Sequence, residues 1–186
     1  MKRLVDICLV LMALVFLTLP FLIVAVVVRS SSTGPVLYWS DRVGRENKIF
    51  RMPKFRTMLV NTPAIATHLL PEPKRFLTPV GSFLRKSSLD ELPQLWSVLK
   101  GDMTFVGPRP ALFNQEDLIE LRRLHGVDKL VPGLTGWAQI NGRDELPIPE
   151  KVALDLEYMN NQTFGMDLKI ICLTFLKVIR RDGVKH

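Results

Sequence analysis

The chain has 186 residues, 47% of them hydrophobic, and a mean hydropathy of +0.17. That length allows one compact domain plus an appendage, and the apolar content is high for a soluble protein. Lysine and arginine total 25 against 18 aspartates and glutamates, a net charge of +7, which points to an anionic partner such as a membrane surface, a nucleotide or a phosphorylated lipid. No recognition helix, zinc finger or RNP-like motif accompanies that charge, so nucleic acid is not indicated. Cys8 and Cys172 both sit in apolar runs, with neither a disulfide framework nor a C-x-x-C motif, so a reduced, cytoplasm-facing chain is the simpler reading. His68, His125 and His186 lack ligand spacing, which leaves hard cations on oxygen ligands as the metal chemistry to expect.

The first element is apolar. No charge falls between Ile7 and Val28, while Lys2, Arg3 and Asp6 precede this segment and Arg29 follows it. As a straight helix it would reach ~33 Å, roughly the thickness of a bilayer's hydrocarbon core. Pro20 removes one backbone hydrogen bond and predicts a kink unless Thr18 or packing compensates. Cations on both flanks give no clear assignment by the positive-inside rule. A cleaved signal peptide fits poorly, because the apolar core is long and no small-x-small site follows it.

Residues 31–186 read as one mixed α/β (α+β) domain, mostly helical. Val36–Val43 and Lys48–Thr57, rich in β-branched and aromatic residues around a Gly44–Asn47 turn, predict a small antiparallel β-hairpin. Residues 59–80, with prolines at 63, 71, 73 and 79, read as a loop with one short helical turn at most. Helices are predicted from Pro93, near 114–125 with Gly126 as the stop, near 149–160 and near 167–181. In the last, Leu168, Ile171, Phe175 and Val178 oppose Lys169, Lys177, Arg180 and Arg181, the pattern of an interfacial amphipathic helix. Leu118, Leu121 and Leu124 with Arg122 and Arg123 repeat it on a smaller scale, and periodicity alone fits core packing equally well.

Residues 85–110, RKSSLDELPQLWSVLKGDMTFVGPRP, concentrate the chemistry. Leu92, Leu95, Trp96 and Leu99 fall at i, i+3, i+4 and i+7, predicting a helix with one buried face that Gly101 stops. Asp90 and Glu91 precede it, where the helix dipole helps keep a carboxylate ionised and suits a nearby anion. Ser88-Leu-Asp-Glu91 also fits a capping box, in which Glu91 would only return a hydrogen bond to Ser88. Pro93 opposes that reading, since its ring and missing N–H disfavour a helix starting as early as Ser88.

Taken together, SLDELPQLWSVLKGDMTFVGPRP, KFRTM at 54–58 and PGLTGWAQINGR at 132–143 closely resemble the bacterial sugar transferases known as monotopic phosphoglycosyl transferases. The resemblance runs from KRLVDI at 2–7 nearly to the C-terminus and matches the family's minimal catalytic form. It implies transfer of a phosphosugar from a UDP-sugar to polyprenol (undecaprenyl) phosphate with release of UMP, at the cytoplasmic face of the bacterial inner membrane. It also implies that residues 1–30 form a re-entrant hairpin in the membrane lipid, turning near Thr18-Leu19-Pro20, although many relatives have Ser-Pro where this chain has Leu19-Pro20. Asp90 becomes the expected nucleophile, forming an acyl phosphate that carries the sugar. Glu91 would hold Mg²⁺ or handle protons, the two acids sharing the ion with substrate oxygens.

Arg85 and Arg109 are the first candidates for phosphate contact, since a guanidinium engages two oxygens at once and the prolines flanking Arg109 fix its backbone. Lys54, Arg56 and Arg143 follow, each inside a family-like motif. Asp102 reads as a supporting acid or a turn residue, and Trp137 and Gln139 as contacts to base or sugar or as core. Trp39-Ser40-Asp41-Arg42 has serine where relatives often carry glutamine. Two other functions fit the residues: a non-catalytic membrane adaptor that binds anionic lipid, and a membrane-bound metal-dependent hydrolase of nucleotide sugars. The sequence does not decide the sugar, or between a monomer and a homodimer.

Overall fold

The computed structural model describes residues 2–63, 71–142 and 146–180. It opens with helix α1, Lys2–Ser31, which carries Pro20 inside it. Strands β1 (Leu37–Val43) and β2 (Ile49–Phe55) follow, paired antiparallel in the register Leu37↔Phe55, Ser40↔Met52, Val43↔Ile49. This is the expected hairpin, closed by a 3₁₀ turn at Arg45–Asn47. A second 3₁₀ turn at Pro73–Phe76 interrupts the proline-rich stretch.

Helix α2 (Gly81–Lys86) leads to a 3₁₀ segment, Leu89–Gln94, which runs into helix α3 (Leu95–Lys100). The helix expected to start at Pro93 therefore starts at Leu95. Pro93 has no N–H to give the carbonyl four residues back, so the chain ahead of it cannot close as α-helix and takes the tighter turn. Gly101, at φ 96°, ends α3 in the left-handed region that glycine adopts without penalty.

The remainder comprises β3 (Thr104–Val106), α4 (Glu116–Leu124), β4 (Gly133–Thr135), α5 (Trp137–Asn141), α6 (Ile148–Asn160) and α7 (Phe164–Arg180). Strands β3 and β4 pair in parallel, Thr104 with Gly133 and Val106 with Thr135. A Cβ on Gly133 would lie 2.1 Å from the backbone nitrogen of Gly107, so this pairing requires a glycine.

Helix α1 packs along the domain. Val10 joins Met52, Leu95, Val98 and Met103 in one buried cluster, while Val24 and Val28 join Phe55 and Leu84 in another. Each such buried side chain contributes about 1.5–3 kcal/mol relative to leaving it exposed. Polar bonds hold both ends of the helix. At the start, Lys2 Nζ reaches the Val106 carbonyl at 2.7 Å and Asp167 at 2.9 Å. Asp6 accepts from Thr104 Oγ1 at 2.8 Å and from the Phe105 amide at 3.1 Å, and Arg3 donates to the Val98 and Leu99 carbonyls at the open end of α3. At the far end, Arg56 donates to the carbonyls of Thr33 at 2.5 Å and Ser32 at 2.8 Å. One body thus grips α1 fore and aft, and the opposite side of the helix, including Val15, Phe16, Leu19 and Val26, is exposed and apolar.

Three expectations change. The segment continues as helix through Pro20 where a turn was expected, and Thr18 Oγ1 donates to the Leu14 carbonyl; the carbonyl that Pro20 deprives is that of Phe16, by the α-helical i→i−4 rule. Helix α4 is a packing helix and not an interfacial one, because Leu118 and Arg122 are buried and Leu124 alone of its leucines stands well exposed, at 67%. In α7, Phe164, Leu168, Phe175 and Leu176 form the exposed apolar face, while Ile171 turns toward the core cluster of Val106, Ile140, Tyr158 and Ile170; the side chains of Val178 and Arg180, and all of Arg181, lie outside the described residues.

Arg56→Ala is expected to leave two carbonyls and a buried pocket uncompensated, lowering stability by about 2 kcal/mol. Thermal unfolding in lipid nanodiscs checks this. Any activity of the protein that remains folded should be unchanged, since the guanidinium is committed to the end of α1.

Candidate active site

Three chain segments meet at the acid pair. Asp90 and Glu91 lie on the 3₁₀ segment Leu89–Gln94, Lys54 near the end of β2, and Arg109 in the Pro108-Arg109-Pro110 link after β3. Both Lys54 Nζ, at 2.7 Å, and Arg109 Nη2, at 2.6 Å, bond the same Glu91 oxygen, Oε1. No side-chain cap is made at Ser88. The capping-box alternative is therefore not realised: Glu91 faces the cations of other segments and not its own backbone.

The two neighbouring carboxyls differ in basicity. Burial by itself would push Glu91 upward, but the charges of Arg109 and Lys54 and their hydrogen bonds hold it well below the usual carboxylate range. For Asp90, burial prevails and raises the carboxyl to about 6; Lys54 pulls it down, Glu91 pushes it up, and Arg85 and Arg109 pull it down more weakly. Lys54 is itself lowered by burial, against the pull of Glu91. Among the described residues no hydrogen bond or ion pair within 4.0 Å is made by the Asp90 carboxylate. It is thus the more basic acid of the pair, surrounded by cations that neutralise its neighbour.

The rigidity of Arg109 comes from its backbone. The Gly133 amide donates to the Pro108 carbonyl at 2.9 Å, Arg122 Nη1 to the Arg109 carbonyl at 2.8 Å, and Arg42 Nη1 to the Pro110 carbonyl at 3.1 Å. Each arginine is itself braced. Arg42 Nε donates to the buried Ser40 hydroxyl at 3.0 Å, which gives that unusual serine a role. Arg122 forms a buried fork with Asp155 Oδ2, at 3.0 and 2.6 Å. Buried carbonyls need donors, and here both the donors and the flanking prolines fix the direction in which Arg109 extends.

The remaining candidates distribute unevenly. Arg85 Nε donates to Thr57 Oγ1 at 3.0 Å, and its charge acts on Asp90, so it stands by the pair. Arg56, expected among the phosphate cations, is instead committed to Ser32 and Thr33. Arg143 lies outside the described residues. Asp102 pairs with Lys100 at 2.8 Å, as a local turn acid. Trp137 packs in the Tyr158 cluster beneath Lys169, 5.2 Å from its ring. Sequence reasoning missed Arg42, Thr57, Arg122 and Asp155 as parts of the site; the signal for Arg122 was a charge at the position following Leu118 by one helical turn.

For a divalent cation, the donor set consists of oxygens. Among the described residues no group of three or more His, Cys, Asp or Glu side chains converges. Two adjacent carboxylates match the way Mg²⁺ is held, by one or two acids plus substrate phosphates and water.

Beside the pair lies an apolar cavity of about 340 Å³, walled by Leu92, Pro93, Leu95, Trp96 and Leu99 on one side and by Leu14 and Phe21 of α1 on the other. Of the stripe read as a buried face, Leu95 lies in the Val10 cluster and Leu92 and Leu99 pack against the core, as expected, while Trp96 is exposed at 54%; all four also border this cavity.

Because the Asp90 carboxyl has a higher pKa folded than in an ordinary peptide, its ionisation destabilises the fold: its stabilising contribution is complete below about pH 4 and is lost as pH rises through about 6. Asp90→Asn should therefore be more stable than the parent at pH 8, by on the order of 2 kcal/mol, and should converge with it at pH 4. Thermal unfolding at the two pH values checks the sign.

Comparison with known proteins agrees with this arrangement. The family model described as Bacterial sugar transferase matches residues 1–181. An uncharacterized sugar transferase of Bacillus subtilis is 42% identical over 188 residues, which cover 100% of this chain and 91% of that protein. The UDP-glucose:undecaprenyl-phosphate glucose-1-phosphate transferase of Escherichia coli is 41% identical over 186 residues, 95% of this chain but 40% of that protein. The undecaprenyl-phosphate galactose phosphotransferase of Salmonella typhimurium is 39% identical over 168 residues, 81% of this chain and 34% of the other. The chain therefore spans nearly all of one relative and well under half of the other two. With acids, cations and apolar helix assembled as described, and the match extending over almost its whole length, the chain belongs to the bacterial sugar transferase family.

Proposed function

We propose that the protein is a phosphoglycosyl transferase that moves a phosphosugar from a UDP-sugar to undecaprenyl phosphate and releases UMP, as a membrane step in polysaccharide or glycoconjugate synthesis. The observation that carries this reading is the unequal acid pair: Glu91 locked by Lys54 and Arg109, and Asp90 buried beside it with its carboxyl raised to about 6. The substrate classes come from the names of the Escherichia coli and Salmonella relatives, which specify undecaprenyl phosphate and, respectively, glucose and galactose.

In the first half-reaction an Asp90 oxygen attacks the β-phosphorus of the donor. The bond from that phosphorus to the bridging oxygen breaks, the oxygen leaves with UMP, and the sugar phosphate remains on Asp90 as an acyl phosphate. In the second, an oxygen of the prenyl phosphate attacks the same phosphorus, forming a diphosphate and returning the carboxylate. A basic carboxylate suits this role, since nucleophilicity rises with basicity while ionisation persists at neutral pH. Arg109 and Arg85 supply charge to the phosphoryl oxygens, and Glu91 keeps Arg109 and Lys54 in place before substrate arrives. Asp90 and Glu91 would hold Mg²⁺, which would neutralise diphosphate charge.

The chain works at the cytoplasmic face of the cytoplasmic membrane in this reading, with the continuous helix α1 presenting its apolar outer side to one leaflet. Support comes from the attachment of both ends of α1 to one body, which keeps those ends on one side, and from the apolar exposure of the helix between them. The exposed Phe164, Leu168 and Phe175 of α7 offer a second apolar face.

A panel of UDP-sugars assayed for UMP with undecaprenyl phosphate and Mg²⁺ identifies the donor. Asp90→Asn should abolish both UMP release and the mass adduct of donor-treated protein. For the parent, kcat/KM for the donor should fall about tenfold per pH unit below roughly pH 6 and flatten above it. Full activity in Asp90→Asn rejects the mechanism, and continuous UMP release without a lipid acceptor identifies a hydrolase instead.

A further inference from the structure

Helix α6 carries two buried polar side chains, of which the site described above accounts only for the first. Asp155 and Tyr158 are three residues apart, so they stand on one side of the helix, and each is 1% exposed. Asp155 takes the fork of Arg122, and Arg122 Nη1 in turn donates to the Arg109 carbonyl at 2.8 Å. The Tyr158 hydroxyl lies 3.1 Å from the carbonyl of Val106, three residues before Arg109. One helix therefore reaches both ends of the short stretch that carries the active-site guanidinium.

The tyrosine end gathers more than α6. Lys2, the first residue of α1, has three ammonium protons and three acceptors around it: the Val106 carbonyl at 2.7 Å, the Tyr158 hydroxyl at 2.6 Å and Asp167 Oδ2 at 2.9 Å. The hydroxyl gives its single proton to Asp167 Oδ1, at 2.6 Å the nearer and the charged acceptor, and accepts a further bond from Gln162 Nε2 at 3.2 Å. The Val106 carbonyl is then served by Lys2, whose ammonium the tyrosine and the aspartate hold in place. Lys2 and Asp167 belong to the two helices with exposed apolar faces, Phe16 and Leu19 standing out on α1 and Phe164 and Leu168 on α7. Both helices are thus tied, through one hydroxyl, to the strand that leads into Arg109.

We infer that Tyr158 is a positioning residue for Arg109: it sets the starts of α1 and α7 against the Val106 carbonyl, so that the placement of these two helices fixes the link on which the guanidinium is carried. This deepens the functional reading above and rests on it for what Arg109 does. A cluster that only stabilised the fold would also be buried and satisfied. The difference is that a positioning role is felt through Arg109.

The test uses the full chain in lipid nanodiscs and reads the donor half-reaction as the first-order rate constant of UMP release in a single turnover, which does not depend on how much of a preparation is folded. Tyr158→Phe keeps the ring and removes the hydroxyl. In the parent it should slow this step about tenfold, the scale of one hydrogen bond to a charged group. In an Arg109→Lys background, where the guanidinium is already gone, the same change should cost less than about twofold. Equal costs in the two backgrounds overturn the inference, since a residue that only stabilises the fold acts regardless of what stands at 109. Lys2→Met should slow the parent by a similar factor and add little to Tyr158→Phe; additive losses overturn the inference as well. Should Tyr158→Phe fail to fold, Asp167→Asn, which weakens the cluster from α7 and leaves the tyrosine in place, enters the same cycle with the same expectation.

Binding of inorganic diphosphate with Mg²⁺, read by calorimetry, repeats the cycle without turnover: Tyr158→Phe should weaken it about fivefold in the parent and leave Arg109→Lys unchanged. If no UDP-sugar yields UMP while this coupling stands, the transfer reaction fails and the positioning of Arg109 survives. Absence of coupling in both measurements overturns the positioning role.

Discussion

One oxygen, Oε1 of Glu91, holds this site together. It takes Lys54 from the hairpin and Arg109 from the link after β3, and so joins three segments that are distant in sequence. A partly buried ion cluster of this kind costs desolvation on every member, and its Coulomb gain returns that only if the geometry is good. The return here is functional as much as energetic. Two cations committed to one carboxylate keep Glu91 ionised, and the carboxyl next to it is left with burial as its main influence. Adjacent acids of similar intrinsic chemistry thereby acquire different basicities, in the reverse of their ordinary order, the separation of roles that paired carboxylates in active sites generally require.

For that division to persist, Arg109 must not wander. A long guanidinium side chain carries considerable rotamer entropy, and a flexible link would let it follow any passing anion. The proline frame removes φ freedom, and donors from three other places saturate the link's carbonyls: the Gly133 amide, Arg42 and Arg122. The buried Arg122–Asp155 fork belongs to this support and not to the substrate surface. An ion pair that is stability-neutral in general is useful here as a rigid bracket, and it explains why a helix with a seemingly amphipathic pattern turns its arginine inward.

Local signals in the sequence reached the elements whose cause is local. The hairpin follows from alternating β-formers around Gly44–Asn47, the end of α3 from Gly101, and the acid pair's separation from a regular helix from Pro93. Elements of three to six residues, such as β3, β4, α2 and α5, are too short to carry a periodicity and exist because tertiary partners complete them. Partner choice was likewise invisible. Arg56 and Arg109 are both arginines within strongly patterned motifs, and only the fold reveals that the first ties down a helix end while the second faces an acid. The stripe Leu92, Leu95, Trp96 and Leu99 was legible as apolar, but periodicity cannot distinguish packing from the lining of a chamber.

That cavity lies between α1 and the segment that follows the acid pair. Were α1 simply an anchor, its packing against α3 would be expected to close over Leu92–Leu99 as it does around Val10 and Val98, where no space is left. Instead the contact runs on through Leu17 and Phe21, whose ring lies 4.8 Å from that of Phe55, and a cavity opens where Leu14 and Phe21 face Leu92–Leu99, on either side of the stretch where Thr18 bonds back to Leu14 and Pro20 withholds its hydrogen bond. A proline in a helix loosens the backbone locally while the rest stays regular. Placed here, between two pinned ends, it leaves the Phe16 carbonyl without its helical donor while Leu17 and Phe21 on either side stay packed on the body. The same residue that would mark a turn in the chain by sequence thus sits inside a continuous helix, because polar bonds at both ends and apolar packing between them hold the segment along one body.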